Sequence, residues 1–276
     1  MVPDKLIIFD YSGTLSLEST LFAVPDQLMK HLTESGLVNL GISSPVIFWK
    51  QIVNPTWLEG STTSIGYKKI IVNRITAVLY KNVSGVSHAN ISDAVSFFVD
   101  SYLNHSRIDQ RWQSTLRTLN ENSSIRVIIA TDHYAEATGY IIKFLHELQI
   151  QSIAAKDAFA APGLASIVVA NSADLGVHKA DRRFWEILNT GLNMSKLRHV
   201  LLIDDFGYNE QKGDSYGTRG KVEQRKRDTV RMLQEVFSAE VKAIPFMIEN
   251  NEGEKAFGKL IEQTSLIIDH YLKVYN

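Results

Sequence analysis

The sequence predicts an α/β fold, a parallel-sheet core that carries an inserted, all-helical segment. Three observations lead there. An apolar run from Ile7 stops at Asp10 and gives way to the small-residue turn Ser12-Gly13-Thr14, as a buried strand entering a turn does. The residues between Thr14 and Ser124, about 100 of them, then read as almost wholly helical. From Arg126 onward short apolar strands alternate with helical stretches, the pattern that builds a parallel sheet.

Each element follows from its own pattern. Ile7–Leu15 (IIFDYSGTL) puts a carboxylate at a strand's end beside a turn whose amides can face an anion. An aspartate placed there suits a nucleophile that forms a covalent intermediate. A helical pattern runs from Leu21 to a stop at Gly36. Residues 37–63 carry Gly41, Pro45, Pro55 and Gly60 among Phe48, Trp49 and Trp57, and read as a loop with apolar anchors. Helical periodicity resumes over Ser64–Tyr80, Ile91–Leu103 and Gln110–Leu119. Arg126–Asp132 (RVIIATD) is a second strand with a polar tip, and a helix from Tyr134 to Leu148 follows it. Strand character recurs near Ile150 and from Ser166, before a helix whose start carries Lys179 and a strand from His199 that ends in Asp204 and Asp205. Gly213–Lys221 reads as a flexible loop, Val222–Phe237 as a charged helix, Val241–Ile248 as a strand and Ala256–Val274 as an amphipathic helix.

Composition narrows the function. A chain of 276 residues is long enough for a core with an inserted module. Charged residues at 21% and a formal net charge of −1 argue against disorder and against a surface built to coat nucleic acid, so a small-molecule partner is expected. The absence of cysteine excludes a disulfide, a thiolate zinc site and a cysteine nucleophile. Asp4 and Lys5 precede the first apolar strand, and no stretch of eighteen uninterrupted apolar residues occurs. The expectation is neither export nor a membrane span, with a cytoplasmic location as the default.

A parallel sheet binds ligands at the carboxyl ends of its strands, so Asp10, Thr131 and the pair Asp204/Asp205 are the residues able to converge. With Lys179 they supply a nucleophile, a hydroxyl, an ammonium and further carboxylates, the parts for binding a phosphoryl group beside Mg²⁺. Taken singly each has a plainer reading: Asp10 capping a turn, Thr131 satisfying its own backbone, Lys179 solvated at a helix start. His133 and His178 adjoin these positions and read as structural. Trp49 and Trp57 read as insert core before substrate platform, and Arg219–Arg227, interrupted by Glu223, as a solvated helix face.

Four motifs in order resemble the haloacid dehalogenase superfamily over roughly residues 5–15 and 125–248. Asp10, Gly13, Thr14 and Leu15 match a nucleophilic Asp before a Gly-Thr-Leu turn. Thr131 matches the strand-terminal Ser or Thr, and Lys179-Ala180-Asp181-Arg182-Arg183-Phe184 the Lys motif. Asp204, Asp205 and Glu210 match a strand ending in two acids with a third about five residues on. The resemblance implies a Rossmann-like core of residues 1–15 and 124–276 and a helical cap of residues 16–123. It also implies a hydrolase acting on a small phosphorylated metabolite. Asp10, Ser12, Thr131 and Lys179 take the catalytic positions, and Gly13, Thr14 and Asp132 the substrate-binding ones. Asp10, Ser12, Asp204, Asp205 and Glu210 are the implied Mg²⁺ set. Family phosphatases carry a second Asp two residues after the nucleophile, as acid and then base. Here that position is Ser12, whose hydroxyl is no acid near neutral pH. Branches without this Asp have Thr (ion pumps), Ala (phosphonate hydrolases) or Tyr (dehalogenases), and Ser12 matches none fully. C–halogen or C–P cleavage, and a weakly active phospho-ligand binding protein, therefore stand as alternatives.

Overall fold

The computed structural model describes residues 3–79, 87–161, 166–209, 218–248 and 253–274. Six strands form one sheet: β1 (Lys5–Asp10), β2 (Ile125–Thr131), β3 (Ser152–Ala154), β4 (Ile167–Asn171), β5 (His199–Asp204) and β6 (Glu240–Pro245). Their order is β3-β4-β2-β1-β5-β6, and every pairing is parallel. All carboxyl ends therefore share one edge. β1, β2 and β4 are buried at every residue, which is why they appear in the sequence as continuous apolar runs. Alternate side chains feed two cores. Leu6, Ile8, Ile128 and Val200 pack with Phe184, Trp185 and Leu233 on one face, from the helices Arg182–Gly191 and Arg219–Phe237. Ile7, Phe9, Ile129 and Leu201 pack on the other with Trp112, Phe246 and Phe257.

That second core continues without a break into the insert, taking in Leu28, Ile71, Val95 and Phe98. The insert's helices include Pro25–Glu34, Asn54–Ser61, Tyr67–Leu79 and His88–His105. Two expectations change here. Residues 37–63 are mostly helical: a 3-10 turn at Leu37–Leu40 and, from Pro45, a short helix that leads through a π segment, Phe48–Val53, straight into Asn54–Ser61. Pro45 sits in the first turn of its helix, where the missing N–H has no helical partner to lose, and Pro55 follows directly on the π segment.

The second change concerns the expected cap boundary at residue 123. Gln110–Trp112 and the helix Gln113–Glu121 pack on the second strand of the sheet and on the helix Gly253–Val274. The Trp112 ring stands edge-on to Phe9 at 5.5 Å, and its Nε1 donates to the Thr14 carbonyl at 3.1 Å. Thr115 bonds Ser265 of the helix Gly253–Val274. The crossing from insert to core falls instead at 106–109, where the Asp109 amide donates to the Leu15 carbonyl at 2.9 Å and the Tyr11 hydroxyl to the Ser106 carbonyl. The charged helix begins at Arg219, so only part of the expected loop Gly213–Lys221 survives as loop, and 213–217 lie outside the described residues. Among the described residues no helix is long and apolar enough to cross a membrane.

Candidate active site

Strand register sets the site. Phe9 pairs with Ile203 on one side and Ile129 on the other, and Asp10 pairs with Ala130. Asp10, Asp204 and Thr131 therefore end adjacent strands at nearly one level. Beyond Asp10 the chain turns at once. The amides of Leu15 and Ser16 donate to the Tyr11 carbonyl at 2.9 Å, and the Gly13 amide donates to the Ser16 carbonyl at 2.8 Å. These amides are spent inside the turn, while the Tyr11 amide, next to the nucleophile, bonds the Asp10 carboxylate.

Gly13 serves differently. Its φ is +77°, and a Cβ there would lie 2.6 Å from Oδ2 of Asp205. Glycine is what lets that carboxylate come in. The Thr14 hydroxyl is fully buried and accepts the Asp205 amide at 3.2 Å, so Thr14 fixes a neighbouring loop where the sequence had suggested substrate contact. Asp205 accepts the Gly207 amide on Oδ1 and the Asn209 amide on Oδ2, both at 2.8 Å. Asn209 went unnoticed in the sequence. Its Nδ2 donates to the carbonyls of Gly13 and Phe246, and its Oδ1 accepts the Ile248 amide, which joins the loops after β1, β5 and β6. It stands one residue before Glu210, the expected third acid, which lies outside the described residues.

Lys179 precedes the helix Arg182–Gly191, which Asp181 caps by accepting the Arg183 amide. The Lys179 backbone is held at both ends: its amide donates to Oδ1 of Asp132 at 2.8 Å, and its carbonyl accepts Trp185 Nε1 at 2.8 Å. This gives Asp132 a task in holding the lysine. The ammonium lies 2.5 Å from Oδ1 of Asp10 and 3.5 Å from Oδ2 of Asp204. Asp204 keeps Oδ1 on the Phe206 amide at 2.6 Å. Asp10, Asp204 and Asp205 each offer a carboxylate oxygen, all within 4.8 Å of one another. Thr131 is buried at the end of β2, and Ser12 is half-buried, its backbone bridging to Ser16.

Burial raises the Asp10 carboxyl to about 7; the Lys179 ammonium pulls against that and Asp204 adds to it. Burial alone would lower Lys179, but Asp10, Asp204 and Asp132 hold it well above its ordinary value. Three carboxylates thus cluster beside one ammonium in a largely buried site, with Asp10 only 6% and Asp205 2% exposed. The carboxylates outnumber the ammonium beside them, and the donors are all hard oxygen. That set fits a divalent cation.

Insert residues meet the Lys179 loop at His178. The Ser61 hydroxyl bonds His178 Nε2 at 2.6 Å, and Trp57 stacks on the His178 ring at 6.1 Å. His133 is buried and bonded, as the structural reading has it. A cavity of about 500 Å³ lies behind the Lys179 loop, lined by Leu58, Thr62 and Val177 among others, but the carboxylates do not line it.

Fold and site together define an α/β protein of parallel sheet with a carboxylate–lysine centre at the sheet's carboxyl edge. No family model and no curated protein matches the chain. Among solved structures it is similar to a HAD-hydrolase, YfnB of Bacillus subtilis, bound to magnesium. The identity is 14% over 74% of this chain and 78% of that one, with a TM-score of 0.36.

Proposed function

We propose that the protein is a Mg²⁺-dependent phosphohydrolase of the haloacid dehalogenase type, acting on a small phosphorylated metabolite through an aspartyl-phosphate on Asp10. The observation that carries this reading is the geometry around Asp10: an ammonium against one oxygen and two further carboxylates within 4.8 Å. Asp10, Asp204 and Asp205 would hold the cation, which when bound supplies the charge that keeps Asp10 ionised and lets phosphoryl oxygens approach.

The chain's own residues do the rest. An Asp10 oxygen attacks phosphorus, and the bond from phosphorus to the leaving oxygen breaks as the new one forms. Lys179 and the Thr131 hydroxyl hold phosphoryl oxygens, so catalysis is mostly positioning and charge stabilisation. The leaving oxygen takes its proton from solvent, because Ser12 has none to give near neutral pH. Water then attacks phosphorus as the bond from phosphorus to the Asp10 oxygen breaks, and phosphate leaves with the water's oxygen and protons, which restores the Asp10 carboxylate. The insert, residues 16 to about 107, acts as the cap that excludes bulk water, which favours a small substrate.

Ser12 supports a second reading, a phospho-ligand binding protein with feeble turnover. C–halogen or C–P cleavage with the same nucleophile is a third, but the clustered carboxylates favour phosphorus chemistry with a cation. The test is a panel of phosphorylated metabolites assayed with Mg²⁺ and with chelator. Phosphate release from one compound class, abolished by chelator, supports the proposal. Halide release from a haloacid moves the assignment to the third reading, and tight binding without turnover moves it to the second.

A further inference from the structure

Thr131–Glu136, the segment that follows β2, faces two ways. Thr131 and Asp132 belong to the carboxylate–lysine centre. The residues just beyond them hold the insert. His133 Nε2 lies 2.9 Å from the Tyr102 hydroxyl, and since His133 Nδ1 accepts the Tyr134 amide at 2.9 Å, Nε2 carries the proton and donates. The Tyr134 ring stacks on Tyr67 at 3.7 Å between centroids and 9° between planes, with Trp57 edge-on at 5.4 Å. Gly60 permits that packing, because a Cβ there would lie 2.3 Å from the Tyr134 ring.

Glu136 makes the most directed of these contacts. It opens the core helix Glu136–Glu147, yet its carboxylate accepts the amides of Tyr67 at 2.7 Å and Lys68 at 3.2 Å, the first residues of the insert helix Tyr67–Leu79. First-turn amides have no partner within their own helix and form its positive end. One carboxylate from the core thus satisfies two orphan donors across the seam. Gly66, with φ at +91°, clears the approach, since its Cβ would lie 2.8 Å from Oε1 of Glu136.

We propose that Glu136 is a positioning residue that clasps the helical insert over the catalytic carboxylates, gripping the amino end of Tyr67–Leu79 from the same segment that carries Thr131 and Asp132. The proposal rests on the Asp10 centre being the active site. Four residues lie between Thr131 and Glu136, so a shift of this segment at the centre is delivered directly to the insert. The clasp holds the site closed before any ligand arrives.

The test is amide hydrogen exchange on the full-length, ligand-free chain, comparing the native protein with Glu136→Ala, Glu136→Gln and Gly66→Ala. Two amides bonded to a carboxylate should exchange roughly 10- to 100-fold faster once it is removed. The discriminating probe is the Lys179 amide, which bonds Asp132 and which Glu136 does not touch. A clasp speeds Lys179 along with Tyr67 and Lys68 in Glu136→Ala. Glu136→Gln, with one acceptor left, falls between, and Gly66→Ala, which pushes the carboxylate aside, follows Glu136→Ala. Faster exchange at Tyr67 and Lys68 with Lys179 unchanged overturns the proposal, as does no change anywhere. If Glu136→Ala does not fold, the other two variants decide it. On a substrate identified by the panel, KM should rise by the factor by which the closed population falls, with kcat retained; a fall in kcat at constant KM counts against a clasp. Exchange needs no turnover, so an inactive protein with coupled exchange refutes the assigned chemistry and leaves the clasp standing.

Discussion

Replacing Gly13 by alanine tests how the site is built, with a control inside the same chain. Gly13 and Gly36 have nearly equal φ, +77° and +79°, but a Cβ on Gly36 would meet nothing within 4 Å, while one on Gly13 would lie 2.6 Å from Oδ2 of Asp205. The left-handed backbone alone costs an L-residue about 1 kcal/mol, and that is the whole expectation for Gly36→Ala. At Gly13 the carboxylate must also move, and it holds the amides of Gly207 and Asn209. A hydrogen bond to a charged group is worth about 1.5 to 3 kcal/mol, and rotation can save one of the two, so Gly13→Ala should lose about 2.5 to 4 kcal/mol in all. Urea unfolding of both variants measures the difference, and calorimetric titration with Mg²⁺ should show weaker binding for Gly13→Ala only. Equal losses from the two substitutions, with unchanged Mg²⁺ affinity, would refute the idea that Gly13 exists to admit Asp205.

The two acids at the end of β5 should differ. Asp204→Asn can keep the Phe206 amide on its remaining oxygen, so it should weaken Mg²⁺ binding at a cost of less than about 1 kcal/mol in unfolding, whereas Asp205→Asn puts an NH₂ against a backbone N–H and should lose both affinity and stability. Ser12→Asp should add the missing acid and raise phosphate-ester hydrolysis by up to about 10² to 10⁴, most for poor leaving groups; no gain on either a phenyl or an alkyl phosphate counts against phosphatase chemistry. Burial lowers His133 to about 4 from an ordinary 6.5. Its folded form resists protonation, so the contribution is intact above pH 6.5 and falls by about 3 kcal/mol as pH drops from 6.5 to 4. The raised Asp10 carboxyl acts in the opposite sense in that window, so the measurement is the difference in pH-dependent unfolding between native protein and His133→Gln, and parallel curves would disprove it.

The sheet was legible because a parallel strand buried on both faces leaves a continuous apolar run, and each run here that ends in Asp or Thr ends at the site. The loop expected at 37–63 was misread because proline marks both a break and a first helical turn, and the letters do not distinguish them. The helix Gln113–Glu121 is legible as a helix but its packing against the sheet is not, since a periodic apolar face says that a helix packs and not on what. Polar partners were hardest. Thr14 and Asp132 stand in motif positions, yet their bonds go to Asp205 and Lys179, residues 191 and 47 positions away. Nothing local in the sequence marks Asn209 or Glu136, whose roles arise only where separate loops meet.

Tyr11 follows Asp10 directly, and its hydroxyl holds the Ser106 carbonyl where the insert returns to the core. Beside it the two linking chains are bonded to each other, Asp109 to Leu15. The axis of any insert rotation therefore passes within a residue or two of the nucleophile. Displacement under rotation grows with distance from the axis, so the far helices would sweep widely while Asp10 stays almost still. An insert acting as the proposed cap would swing on a hinge set against the reacting atom without disturbing its aim. Changes far out in the insert would alter what enters, and changes at Tyr11 or Ser106 would alter where Asp10 points.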